Sequence, residues 1–400
     1  MSASPAGGML AHGLRPLILI YATACITVMG VSIILPVLPQ MAQVFGLSKA
    51  EIGILVFSFT LPGIFLAPVG GILADRVGRK VVLVPCLLLF ALGGIMSALA
   101  HSLPELVGWR FAQGCGAACL GVLYNTIIGD LYTDQTTRLK VMGFAAMSLS
   151  LGSACYPAIG GLLGEWGWRW PLALSALGIP LALHCLCTPL PAPKGAEPMP
   201  AYARTVGKLL LTPRILYHCG ITLCAFIVLY GPLVTYFPML AAETFHASSS
   251  AIGLTFGLSA LGTSGAAFAL QKFSHKYSSG RLALLGSCLF VLAMCLLVCG
   301  RVYPALWLYI LPILCYGLGQ GLTYPAVISS LSGLAPESGR GILMAANGTL
   351  LRLAQTVSPA LCGAVFLWSS FEGVYVLGVC TAVCMLWLTY KAFHVSDAGH

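Results

Sequence analysis

The sequence predicts an all-α membrane protein of twelve transmembrane helices in two pseudo-symmetric six-helix bundles. Three observations predict it: a composition poor in charge, apolar runs of membrane-spanning length, and a repeat that relates the two halves. Of 400 residues 58% are hydrophobic and 8% charged, and the mean hydropathy is +0.94. An ordinary soluble domain carries roughly 25% charged residues. This composition excludes soluble enzymes, nucleic-acid binders and disulfide-stapled secreted folds. A barrel is excluded because the apolar runs are continuous rather than alternating.

A helix crosses the hydrocarbon core with about 20 apolar residues. Runs of that kind lie at 16–38, 52–73, 81–100, 104–129, 141–164, 169–188, 215–240, 251–270, 282–300, 305–331, 341–367 and 373–391. The longest polar stretch, 189–214, contains PLPAPKGAEPMPAYARTVGK, whose five prolines and mixed charge make it a linker. The expected domains are therefore 1–188, a cytoplasmic linker 189–214, and 215–400. The N-terminal MSASPAGGMLAHGLRP lacks the pattern of a cleaved signal, so the first run is expected to remain as a span. Nearly all of the 16 cysteines sit within apolar runs, where they act as small hydrophobes. No metal site, disulfide or cofactor is expected.

Charge sorts with the same spans. Fifteen of the 20 basic residues fall in one set of loops, three (Lys49, Arg169, Arg301) in the other, and Arg110 and Arg352 lie within spans. Basic residues stay cytoplasmic, so both termini and the linker are expected to face the cytoplasm. The net charge of +9 then reports topology and contact with anionic lipid, with no nucleic-acid partner.

The halves echo one another in order. Phe45, Ile52 and Gly53 recur as Phe245, Ile252 and Gly253; Gln113, Gly114 and Asp130 recur as Gln320, Gly321 and Glu337; Pro157 and Gly161 recur as Pro359 and Gly363. Two repeated bundles about an axis along the membrane normal are a transporter plan, with the substrate site between them near the midplane.

The loop between spans 2 and 3 reads GGILADRVGRK, from Gly70 and Gly71 through Asp75, Arg76, Gly78 and Arg79 to Lys80. Gly71 lets helices approach, Gly78 permits a tight turn, and Asp75 suits the positive N-terminus of a neighbouring helix. The string resembles the signature loop of the major facilitator superfamily at nearly every position. The resemblance implies a latch: Asp75 against helix 11 closes the cytoplasmic side, and Arg79 pairs with an acid ending helix 4, for which Asp130 is well placed. The second-half counterpart, Lys272–Arg281, is degenerate and has no acid.

Span 4 carries Arg110, Gln113 and Gly114, similar to the family's second pattern of an arginine followed by glutamine and small residues. Placed near the outer end, Arg110 is expected to reach water, in a role of orientation or lipid contact. The resemblance implies gating or proton relay instead. Span 5 carries Gly143, Gly152, Tyr156, Pro157, Gly160 and Gly161. It resembles the hinge pattern of the drug:proton antiporter branch, with Tyr156 in place of one glycine. Small residues allow close helix approach, and Pro157 kinks the helix. Pro359 and Gly363 are the counterparts in span 11. Tyr156 either disturbs packing at that point or brings a hydroxyl to a cavity wall.

Arg352 sits in the middle of span 11, too deep to reach water readily. It is expected either to bind an anionic or polar substrate, or to cap carbonyls or an amide such as Gln355 or Asn347. None of the eleven acids falls near the middle of a span, so a cavity with buried arginines disfavours cations. Spans 1, 4, 7 and 10 line the cavity in the family, which makes Thr27, Tyr124, Asn125, Tyr230, Tyr236, Tyr316, Gln320 and Tyr324 candidates for an apolar pocket with a few orienting groups. The sequence thus predicts no enzyme but a monomeric inner-membrane transporter. It exports small neutral or anionic amphiphiles by alternating access, with proton antiport as the leading mechanism. The alternatives are a uniporter or proton symporter for a small organic anion, and a receptor on a degenerate transporter fold.

Overall fold

A computed structural model describes residues 13–191, 212–273, 278–302, 306–334 and 340–394. Most of the linker, part of the degenerate second-half loop and Glu337 lie outside the described residues. Every regular element among those described is helical. In order they are α1 (Leu14–Val44, with a 3-10 turn at Leu35–Val37), α2 (Ile54–Val77), α3 (Arg79–Leu99), α4 (Leu103–Leu131), α5 (Gln135–Gly164) and α6 (Arg169–Leu186). They continue with α7 (Pro213–Thr244), α8 (Ser249–Phe273), α9 (Ser279–Val302), α10 (Leu306–Leu334) and α11 (Arg340–His394). Ten segments among the described residues have the length and apolar composition to cross a membrane. Ser370, at φ 58°, breaks α11 into two arms.

The polar punctuation sets the boundaries. Gly78, at φ 105°, turns the chain between α2 and α3 in one residue, a conformation that a side chain strains against. Asp134 caps α5 by accepting the Thr137 backbone N–H at 2.8 Å. This bond holds its carboxyl below the usual aspartate range. Pro104 and Pro213 open α4 and α7 at positions where their missing N–H is not needed.

The chain folds as two compact units. One comprises 1–40 and 58–197, the other 41–57 and 198–400. Within the first, α1 packs on α5, and α3 packs on α4 and α6; within the second, α7 packs on α11, and α9 on α10 and α11. The paired helices correspond across the repeat. Glycines make the tight crossings: a Cβ at Gly114 would collide with the Phe59 carbonyl, and one at Gly317 with that of Ser259. Small residues thus substitute backbone contact for the hydrophobic drive that lipid does not supply.

Candidate functional site

The signature loop is a compact ion-pair cluster at the α2–α3 turn. Arg79 pairs with Asp75 one turn earlier, and its Nε donates to Asp130 Oδ2 at the end of α4 at 2.9 Å. Arg79 is buried and Asp130 largely so. Two carboxylates around one guanidinium offset the cost of removing it from water. Arg76 is exposed, and Lys80 Nζ donates to the Leu186 carbonyl of α6 at 2.9 Å. Gly71 faces Val122 of α4.

Arg110 departs from expectation. It is fully buried rather than reaching water. Its Nη1 donates to Gln113 Oε1 at 2.6 Å, and Gln113 Nε2 donates to Ser175 Oγ of α6 at 2.8 Å. The guanidinium lies over the Phe59 ring of α2, 4.5 Å from its centroid. Gly93 and Gly94 of α3 leave the room this chain occupies, since a Cβ at either would strike Gln113. The reason is what its surroundings offer: Gln113 accepts from the guanidinium, the Phe59 ring of α2 faces it, and the glycines of α3 leave room, so Arg110 has no need to reach for the interface.

The α5 stripe meets α1. Gly160 lies on the Ile33 carbonyl, while Gly152 makes room for Tyr156 and Val28. Tyr156 is buried, with its hydroxyl 3.2 Å from Cys25 Sγ. It fills the α1–α5 seam. Pro157 and Gly161 are buried in α5, and Gly143 has open space around it.

The second unit gathers most of the polar candidates. Tyr230 lies in a π-helical stretch, Leu229–Tyr236, at the middle of α7. Such stretches widen the helix and are frequent at functional sites. Gln355 Nε2 of α11 donates to the Tyr230 hydroxyl at 3.0 Å, and Arg352 is close enough to act on that hydroxyl electrostatically. Tyr316 of α10 also neighbours Tyr230. Among the described residues, the Tyr316 and Tyr236 hydroxyls, Gln320 Oε1 and Asn347 Oδ1 are buried without a hydrogen-bond partner. Tyr236 stacks on Phe366, and Tyr324 meets Phe226 edge-on. Asn125, by contrast, is exposed in α4 and bonded to its own helix at the Gly121 carbonyl. Thr27 is likewise bonded to its own helix at Thr23, and Tyr124 is buried in α4.

Sequence reasoning missed two features. The π-stretch had a signal in Pro232, which lies inside it. The segment 41–57 had its signal in the repeated Phe45, Ile52 and Gly53, which were informative about ancestry only. In the structure this segment is seated on the second unit. Lys49 Nζ pairs with Glu243 Oε2 at 2.7 Å and lies over the Phe371 ring at 5.5 Å. Gly53 abuts Pro359, where an added Cβ would lie 2.9 Å from the carbonyl oxygen, and Gly363 faces the Ala50 carbonyl. Glu51 accepts from Ser48 N at 3.0 Å and Oγ at 2.6 Å, which holds its carboxyl below the usual range.

Comparison with known proteins follows the same lines. The chain is 26% identical over 365 residues to the quinolone resistance protein NorA of Staphylococcus aureus (strain MSSA476), covering 88% of this chain and 90% of that protein. It is 27% identical over 164 residues to the bacillibactin exporter of Bacillus subtilis (strain 168), covering 40% and 41%. The D-xylose–proton symporter has the same fold, at a TM-score of 0.77 and 18% identity over 94% of this chain and 97% of that one. The profile described as Major Facilitator Superfamily matches residues 20–359 and 221–399. The chain belongs to the major facilitator superfamily, and is an integral membrane transporter rather than an enzyme.

Proposed function

We propose that this transporter exports small neutral or anionic amphiphilic molecules by alternating access, in exchange for protons. One observation carries the substrate class: the second unit joins Tyr230 of α7 to Gln355 and Arg352 of α11, and α10 and α11 bury polar atoms of Tyr316, Gln320 and Asn347 without partners among the described residues. Buried polar atoms cost about 1–3 kcal/mol each when unsatisfied, a cost that a polar ligand removes. No acid falls near the middle of any apolar run, so the one formal charge in this cluster is positive. Aromatic Tyr230, Tyr236 and Tyr324 supply the apolar walls that an amphiphile needs. The names of two relatives, a drug-resistance protein and an exporter, support the outward direction.

On this reading the chain makes twelve crossings of a bacterial inner membrane as a monomer, α11 contributing two about Ser370, with both termini and the linker cytoplasmic. The division into 1–188, 189–214 and 215–400 carries the two repeats. The Gly71–Lys80 cluster with Asp130 latches the cytoplasmic side. The Lys49–Glu243 pair and the Gly53–Pro359 and Ala50–Gly363 seats latch the other. Glycine and proline at Gly152, Pro157, Gly160, Gly161, Pro359 and Gly363 form the seams that slide, while Gly143, with open space around it, is not part of one. Arg110 and Gln113 anchor α4 rather than touch substrate.

Proteoliposomes with an imposed pH gradient test the coupling. Substrate movement should drive proton flux in the opposite direction; movement without proton flux overturns antiport. Arg352 favours one second reading, a uniporter or symporter for a small organic anion. In that case Arg352→Gln abolishes anion transport while neutral amphiphiles go untransported by the native protein.

A further inference from the structure

A shallow groove of about 450 Å³ runs along the outside of the first unit, between α1 and α6 with α5 at its floor. Ile18, Ala22 and Cys25 of α1 form one wall, Leu181 and His184 of α6 the other, and Tyr156 the floor. Ile18 and Leu177 at its edges are exposed. In an integral membrane protein, large exposed apolar side chains of this kind face acyl chains. From Ile18 to Ile26 the groove extends about 12 Å at 1.5 Å per residue. That is most of one leaflet of a core about 30 Å thick.

Basic groups gather at one end only. His184 Nε2 is 3.0 Å from the Arg15 carbonyl, Arg15 Nη1 donates to the Cys187 carbonyl at 3.4 Å, and Lys80 Nζ donates to the Leu186 carbonyl at 2.9 Å. The C-terminal carbonyls of α6 thus hold both cations at the mouth. A guanidinium has five N–H donors and an ammonium three, so each keeps donors for an anion. No acid lines the groove. An apolar trough of leaflet depth, crowned by cations at the end where headgroups lie, complements one molecule class.

We propose that this groove holds an acyl chain of an anionic glycerophospholipid, with the phosphate seated among Arg15, Lys80 and His184. Tyr156, which stands where the related pattern has glycine, closes the α1–α5 seam and forms the surface the chain lies on. The site is separate from the polar cluster of the second unit and does not depend on what is transported.

The test uses the full chain in nanodiscs of dioleoyl phosphatidylglycerol and dioleoyl phosphatidylcholine in equal parts, with native mass spectrometry of the released protein. The native protein should retain phosphatidylglycerol in preference to phosphatidylcholine. Ala22→Phe, at a partly exposed position in the trough, should lose the retained lipid. Arg15→Gln, on the exposed rim, should keep the protein folded and cut the phosphatidylglycerol preference about fivefold, the effect of one basic residue at an anionic headgroup. Equal retention of both lipids by the native protein overturns the proposal. So does an Arg15→Gln preference equal to the native one, undiminished adducts on folded Ala22→Phe, or a retained mass that is not a phospholipid.

Discussion

Gln113 of α4 and Gln320 of α10 lie on corresponding helices, about one turn apart in register, yet their surroundings are opposite. In α4 both ends of the Gln113 amide are used: the oxygen accepts from Arg110, whose guanidinium lies over the Phe59 ring, and the nitrogen donates to Ser175. In α10 the Gln320 oxygen is buried without a partner among the described residues, as are the hydroxyl of Tyr316 and the Asn347 oxygen. An amide bonded at both ends fixes helices to one another; a buried oxygen without a partner holds unused hydrogen-bonding capacity. Each of the two corresponding helices carries one such amide, and on the proposed function the one in α10 is open to a ligand while the one in α4 serves structure.

The largest effect should come from breaking the chain that runs from Arg110 through Gln113 to Ser175. Arg110→Ala removes a fully buried side chain, leaves Gln113 Oε1 unsatisfied and creates a cavity beside Phe59. A loss of about 3–5 kcal/mol is expected, read as a lower thermal unfolding midpoint in detergent, and Arg110→Lys should not restore it. The next effect is on transport. Gln320→Leu removes an oxygen that has no partner among the described residues and keeps most of the side chain's volume, so stability should hold within about 1 kcal/mol. Uptake affinity, read as KM in proteoliposomes, should weaken about fivefold.

Smaller still is the Lys49–Glu243 pair, whose side chains are 43% and 38% exposed. Breaking it should cost at most about 1 kcal/mol of stability. The exchange K49E/E243K should recover in a double-mutant cycle whatever either single change loses. The smallest is Asp134, satisfied by its own helix on the surface. Its carboxyl ionises below the ordinary range in the folded state. Its cap is therefore fully present above the unfolded-state pKa and is lost as pH falls through the folded one. The stability difference between the native protein and Asp134→Ala should shrink towards zero on acidification.

The fold was legible because lipid imposes few choices. Continuous apolar runs, proline-rich punctuation and the basic loops read out helices and their ends: the helix boundaries fall within six residues of the predicted runs, except that the last two runs form one helix broken at Ser370. The Arg79–Asp130 pair was legible through a family resemblance, since nothing in the spacing of residues 79 and 130 alone brings them together. Arg110 was misjudged because depth along a helix does not reveal what the neighbouring helices offer; Ser175 and the glycines at 93 and 94 are far away in sequence. Tyr230 and Gln355 likewise meet across 125 residues. The seating of 41–57 on the second unit was hidden for the same reason: a glycine that accepts another helix's carbonyl looks like any other glycine.

The contrast between the two amides is most directly tested by Gln113→Leu and Gln320→Leu, each measured for both thermal unfolding and efflux. The efflux substrate is a compound to which a deletion strain becomes sensitive. Gln113→Leu should lower the unfolding midpoint, with efflux falling only as folded protein is lost; Gln320→Leu should unfold as the native protein does and lose efflux per folded molecule. A stable Gln113→Leu protein, or a Gln320→Leu protein with native efflux, would contradict the account.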